Sequence, residues 1–127
     1  MALKAEEVDH INLVNWFHHN YPELADDLHH IANERKCSEQ EGRKLKKMGV
    51  KRGVSDFFLA VPSNGKHGLW LELKVGKNKP SPEQIAFLER KSNNNYMAVC
   101  MWGFEACKEV IREYLRTENY THGRPIC

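Results

Sequence analysis

A chain of 127 residues holds one hydrophobic core and is short for two. Its 41% hydrophobic content suffices for a globular fold, and no run approaches the ~20 apolar residues of a membrane span. The net charge of +2 does not announce a nucleic-acid binder in bulk, so any basic surface must be local. The opening residues Met1 to Glu7 lack the apolar core of a signal peptide, which predicts a cytoplasmic protein. Cys37, Cys100, Cys107 and Cys127 show no Cys-x-x-Cys pairing and no histidine at zinc-finger spacing, so they read as reduced thiols, two of them buried. His18-His19 and His29-His30 have no Cys or His partner at helical spacing and are not assigned as ligands.

Ala5 to His19 places Val8, Ile11, Leu13, Val14, Trp16 and Phe17 near helical periodicity, and Tyr21-Pro22 ends that helix. Glu6 and Glu7 fall in its first turn, where acids suit the helix dipole. Leu28 to Ala32 reads as a short strand. Ser38-Glu39-Gln40-Glu41 is a capping-box pattern that opens a helix to about Lys47, with Gly49 as its stop. Gly53 to Val61 and Gly68 to Val75 are apolar runs joined by a polar loop with an Asn-Gly pair, the signature of a hairpin. In Pro80-Ser81-Pro82-Glu83-Gln84, Ser81 caps a helix, Pro82 takes its first position, and Gln84 closes a capping box. Ile85, Phe87 and Leu88 form that helix's apolar side. Tyr96 to Trp102 is apolar throughout, as a strand buried on both faces is. After Gly103, Phe104 to Leu115 is the last helix, its apolar side made by Phe104, Cys107, Val110, Ile111, Tyr114 and Leu115. Residues 116–127 form a polar, loose tail. Trp16, Trp70 and Trp102 have apolar neighbours and read as core residues. The order α-β-α-β-β-α-β-α predicts an α/β fold, a small mixed central sheet flanked by helices, in one domain spanning 1–127 with its core at about 5–115.

The hairpin carries the chemistry. Alternation turns Glu72 and Lys74 to one face and Leu71, Leu73 and Val75 to the other, and an antiparallel partner folds Asp56 back beside Glu72. Two carboxylates and an ammonium then converge on an apolar hairpin, a cluster that disfavours folding unless a cation or substrate compensates it. Carboxylate oxygens are the ligands Mg²⁺ prefers. Arg43, Lys44, Lys46, Lys47, Lys51 and Arg52 precede Asp56, and Lys77 and Lys79 follow Lys74, so positive charge flanks the acids and favours a phosphate backbone as partner.

Gly53-Val54-Ser55-Asp56, Glu72-Leu73-Lys74 and Ser81-Pro82-Glu83-Gln84 together resemble the VRR-NUC (virus-type replication-repair nuclease) domain of the PD-(D/E)XK superfamily, over about Glu6 to Leu115. The resemblance implies a restriction-endonuclease-like fold. It also implies a DNA endonuclease dependent on Mg²⁺ or Mn²⁺, of the stand-alone type found in phages and prophages. Asp56 and Glu72 are then metal ligands, with the Leu73 backbone carbonyl completing the coordination. Lys74 acts on water and on phosphate charge, and Gln84 matches the family's glutamine. Glu6 resembles a glutamate that also reaches the metal, with Glu7 one position away. Asn33 resembles a substrate-contacting asparagine, and Arg43, Lys46, Lys47, Lys51, Arg52, Lys77 and Lys79 are candidate DNA contacts. The chain departs from the family at Ser55, where proline is usual, and at residues 33–37, which lack the glycines common there. Likeness to junction resolvases points to branched DNA and a homodimer. A flap or duplex nuclease, or a silent DNA-binding module, are the alternatives.

Overall fold

The computed structural model describes residues 2–32 and 38–116. In chain order these form α1 (Ala5–Asn20), a 3-10 helix (Pro22–Asp27), β1 (Leu28–His30), α2 (Glu39–Lys47), β2 (Phe57–Leu59), β3 (Leu69–Lys74), α3 (Pro82–Asn93), β4 (Met97–Trp102) and α4 (Phe104–Tyr114). The 3-10 helix is the one element that the sequence pattern did not signal. Local chemistry explains most of the boundaries. Ser38 Oγ accepts from the Glu41 amide at 3.1 Å and Ser81 Oγ from the Gln84 amide at 3.1 Å, satisfying donors that a helix start leaves without partners. α1 starts without a hydroxyl cap; there Glu7 turns back and accepts from the Lys4 amide at 2.9 Å. Asn64 and Gly65 both take positive φ, 52° and 74°, and Ser63 and Lys66 bond across them in both directions, as an Asn-Gly hairpin turn requires.

The sheet runs β1-β2-β3-β4. β1–β2 and β2–β3 are antiparallel, while β3 and β4 are parallel and joined through α3. Leu69, Leu71 and Leu73 turn to the face covered by α1 and α4, where Leu13, Phe17, Cys107, Ile111 and Tyr114 complete the core. Tyr114 donates its hydroxyl to the Val61 carbonyl at 2.7 Å, which ties α4 to the chain leaving β2. The opposite face meets α3: Trp70 stacks on Phe58 at 4.2 Å and takes Phe87 edge-on at 4.9 Å. Among the described residues no helix is long and apolar enough to cross a membrane.

Several expectations need correction. The first hairpin strand begins at Phe57, not Gly53, because Gly53 adopts φ +83° and turns the chain before it joins the sheet. β4 is not buried on both faces; it forms the sheet's edge, and Met97 to Met101 are only half-buried. Trp102 is 45% exposed rather than core, its indole N–H donating to the Asn78 carbonyl at 2.7 Å. Val8 and Ile11 of α1 and Ile85 of α3 also face outward. Cys107 is buried and Cys100 half-buried, both as free thiols; Cys37, Cys127 and nearly all of the tail lie outside the described residues.

Candidate active site

Asp56 occupies the position just before β2. The register that pairs Phe57 with Leu71 places Asp56 opposite Glu72. Its backbone carbonyl accepts from the Ile31 amide at 2.6 Å, extending the β1 ladder by one rung, and its carboxylate Oδ2 accepts from the Leu73 amide at 2.9 Å. Two neighbouring segments therefore orient the acid, which is 3% exposed.

Glu72 is fully buried at the centre of β3. Its Oε2 accepts from Gln84 Nε2 at 3.0 Å and lies 3.3 Å from Lys74 Nζ. Its Oε1 is buried with no hydrogen-bond partner. Burial, joined by the Asp56 charge and opposed by Lys74, pushes the Glu72 carboxyl up to about 7. Lys74 lies two residues along on the same face and is buried too. Gln84 serves two partners at once: its Oε1 accepts from the Ser81 amide at 2.8 Å while its Nε2 holds Glu72.

The first turns of α1 complete the cluster. Glu6 and His10 are one helical turn apart, and His10 Nε2 lies 3.8 Å from Glu6 Oε1 and 3.6 Å from Asp56 Oδ2. Ligand atoms of Glu6, His10 and Asp56 all fall within 4.8 Å of one another. They border a cleft of about 300 Å³ that Glu7 and His30 also line. Glu7 reaches the cleft wall but gives a carboxylate oxygen to the helix start, whereas Glu6 turns to His10. Burial alone would lower the His10 pKa, but the adjacent Asp56, Glu6 and Glu72 carboxylates outweigh it and raise the value. His10 was missed by sequence reasoning. The available signal was Glu6-x3-His10, which puts the two side chains on one helix face.

Other expected residues lie on the periphery. Arg43, Lys46, Lys47, Lys51, Arg52, Lys77 and Lys79 are all exposed, and Arg43 faces Glu39 of its own helix at 3.9 Å. Asn33 lies outside the described residues. Leu73 contributes its amide to Asp56, as above. The donor set suits a divalent cation. It combines the Glu6 and Asp56 carboxylates with the His10 imidazole, whose Nε2 is buried without a partner; Glu72, whose Oε1 is likewise buried without a partner, stands outside that group of three.

No family model matches the chain, and no curated protein matches it. A solved structure described as "VRR_NUC domain protein" superposes on it with a TM-score of 0.80 at 25% identity, covering 99% of this chain and 100% of that one. Given the mixed four-stranded sheet, the capped helix after β3 and this end-to-end superposition, the chain has the VRR-NUC domain fold.

Proposed function

We propose that the protein is a divalent-metal-dependent DNA endonuclease of the cytoplasm that acts as a homodimer on branched DNA. One observation carries the reading: Glu72 is fully buried near Asp56, with its Oε1 left without a partner and only its Oε2 met by Lys74, at 3.3 Å, and Gln84. A fold does not retain so unfavourable a cluster for stability alone.

In this reading Asp56 and Glu72 hold the ion, with Glu6 and the Leu73 carbonyl as further oxygen donors. Mg²⁺ or Mn²⁺ supplies Lewis acidity toward a phosphoryl oxygen and a bound water that ionises readily. Lys74, fixed against Glu72, orients the attacking water and offsets charge on the phosphoryl oxygens. Gln84 fixes the Glu72 carboxylate through its amide N–H. The exposed Arg43, Lys46, Lys47, Lys51, Arg52, Lys77 and Lys79 meet the phosphate backbone, where their contribution falls as salt rises. A junction needs one cut in each of two strands, and a symmetric pair of subunits supplies both sites.

The test is cleavage of labelled four-way junction, flap, duplex and single-stranded DNA with Mg²⁺, Mn²⁺ or chelator. Paired nicks in the junction are expected, lost in chelator. Asp56→Asn, Glu72→Gln and Lys74→Ala should each reduce cleavage by about 10²-fold or more. A folded triple variant that still cuts refutes the site, and preferential flap or duplex products refute the junction preference.

A further inference from the structure

We infer that His10 is a direct ligand of the metal ion and that its nitrogen biases the site toward Mn²⁺ and Co²⁺ over Mg²⁺. The inference rests on the metal site proposed above and concerns which ion that site selects.

His10 Nε2 is buried and has no hydrogen-bond partner. An orphaned ring nitrogen is unfavourable unless something outside the chain takes it up. Its separations from Glu6 Oε1 and Asp56 Oδ2, 3.8 and 3.6 Å, are too long for hydrogen bonds. They exceed by less than an ångström the spacing in an octahedral ion, whose bonds of about 2.1 Å at about 90° set adjacent donor atoms roughly 3.0 Å apart, so a small inward shift of the side chains brings all three onto one cation. The adjoining Glu72, fully buried, also leaves its Oε1 without a partner. The imidazole is held in place: His30 and Phe57 each pack edge-on against it with centroids 5.1 Å away. The ring is thus oriented toward two carboxylate oxygens before any ion arrives.

Donor type decides selectivity. Mg²⁺ keeps oxygen ligands and water, whereas Co²⁺ and, to a lesser degree, Mn²⁺ accept imidazole. If His10 instead stood as an imidazolium balancing Glu6 and Asp56, it would repel any cation. Removing it would then tighten binding of both ions, the opposite of what ligation requires.

The experiment uses the full chain stripped of metal. Spin-echo spectroscopy of the Mn²⁺-loaded protein should show modulation from a coordinated imidazole nitrogen, and this reading needs no variant. Calorimetric titration should give Mn²⁺ binding tighter than Mg²⁺ binding. His10→Gln should abolish the nitrogen signal and weaken Mn²⁺ by about tenfold while leaving Mg²⁺ within about threefold. Absence of the nitrogen signal in the unmodified protein overturns the inference, as does an equal loss, or a gain, for both ions. Asp56→Asn separates the two levels. If it abolishes metal binding while His10→Gln changes nothing, the site stands and the role of His10 falls. If neither variant alters binding, the metal site falls as well.

Discussion

Gln84 illustrates how one side chain can carry both a structural and a chemical role. Its carbonyl oxygen closes the capping box of α3 and its amide nitrogen holds Glu72, so neither reading excludes the other. The roles separate by substitution. Ser81→Ala removes the hydroxyl that accepts from the Gln84 amide, at a cost of about 1 kcal/mol, but leaves the Gln84–Glu72 bond intact. Gln84→Met keeps the volume and loses both bonds. Thermal melts should place the two variants close together, while Gln84→Met alone should lose about tenfold or more in cleavage through a freed Glu72. Equal activity in the two variants would reduce Gln84 to a helix cap. Residue-scale chemistry was legible in the sequence where it is local. Capping patterns announced Gln84, and strand alternation with an Asn-Gly turn announced the meeting of Asp56, Glu72 and Lys74. For His10 the sequence offered only its spacing from Glu6; its approach to Asp56 was not legible, because it depends on α1 packing across the start of β2, a contact between residues far apart in the chain.

At the scale of elements, the site depends on how closely the start of α3 approaches the segment leading into β2. Gly53 makes that approach possible. A Cβ there would lie 2.6 Å from the Glu83 backbone carbon and 2.7 Å from its oxygen, and the residue sits at φ +83°. Glu83 immediately precedes Gln84, so any shift at Gly53 moves the residue that holds Glu72. Gly65, at φ +74°, provides a control with nothing within 4 Å of its Cβ position. Gly65→Ala should cost about 1–2 kcal/mol for the left-handed backbone alone and leave cleavage intact. Gly53→Ala should cost more than that in denaturant melts and also lower cleavage; identical behaviour of the two variants would show that the close approach is unimportant. The elements themselves were largely legible because turns, caps and periodicity act over a few residues. What was lost concerns neighbours. An all-apolar run such as Met97–Trp102 carries no record of whether a strand lies on each lateral side, so β4 read as buried on both faces when it is a half-buried edge. Likewise the periodicity of Val8, Ile11 and Ile85 carries no record of where the covering layer ends.

Across the whole molecule, the buried acidic cluster links folding to pH. Glu72 titrates near 4.5 when unfolded and near 7 in the fold, where burial and Asp56 disfavour its charge. Between those values the folded chain binds more protons than the unfolded one, so the stability this group supplies is present below about pH 4.5 and lost as pH rises through about 7. His10 acts in the same sense: its raised pKa adds stability below 6.5 that disappears as pH climbs through the folded value. The metal-free protein should therefore melt at a lower temperature at about pH 8 than at about pH 5.5, and Glu72→Gln should flatten that profile. A cation bound as proposed would reverse the balance, because it would take up the charge that burial penalises and displace the protons held there. At a hundredfold excess over its dissociation constant a ligand adds about 2.7 kcal/mol of stability, and here that constant itself improves as the acids ionise. Added Mn²⁺ should accordingly raise the melting temperature little at about pH 5.5 and strongly at about pH 8, with Glu72→Gln losing most of the increment. A melting profile flat in pH without metal, together with equal metal shifts at both pH values, would mean that the buried carboxylates do not couple folding to the ion.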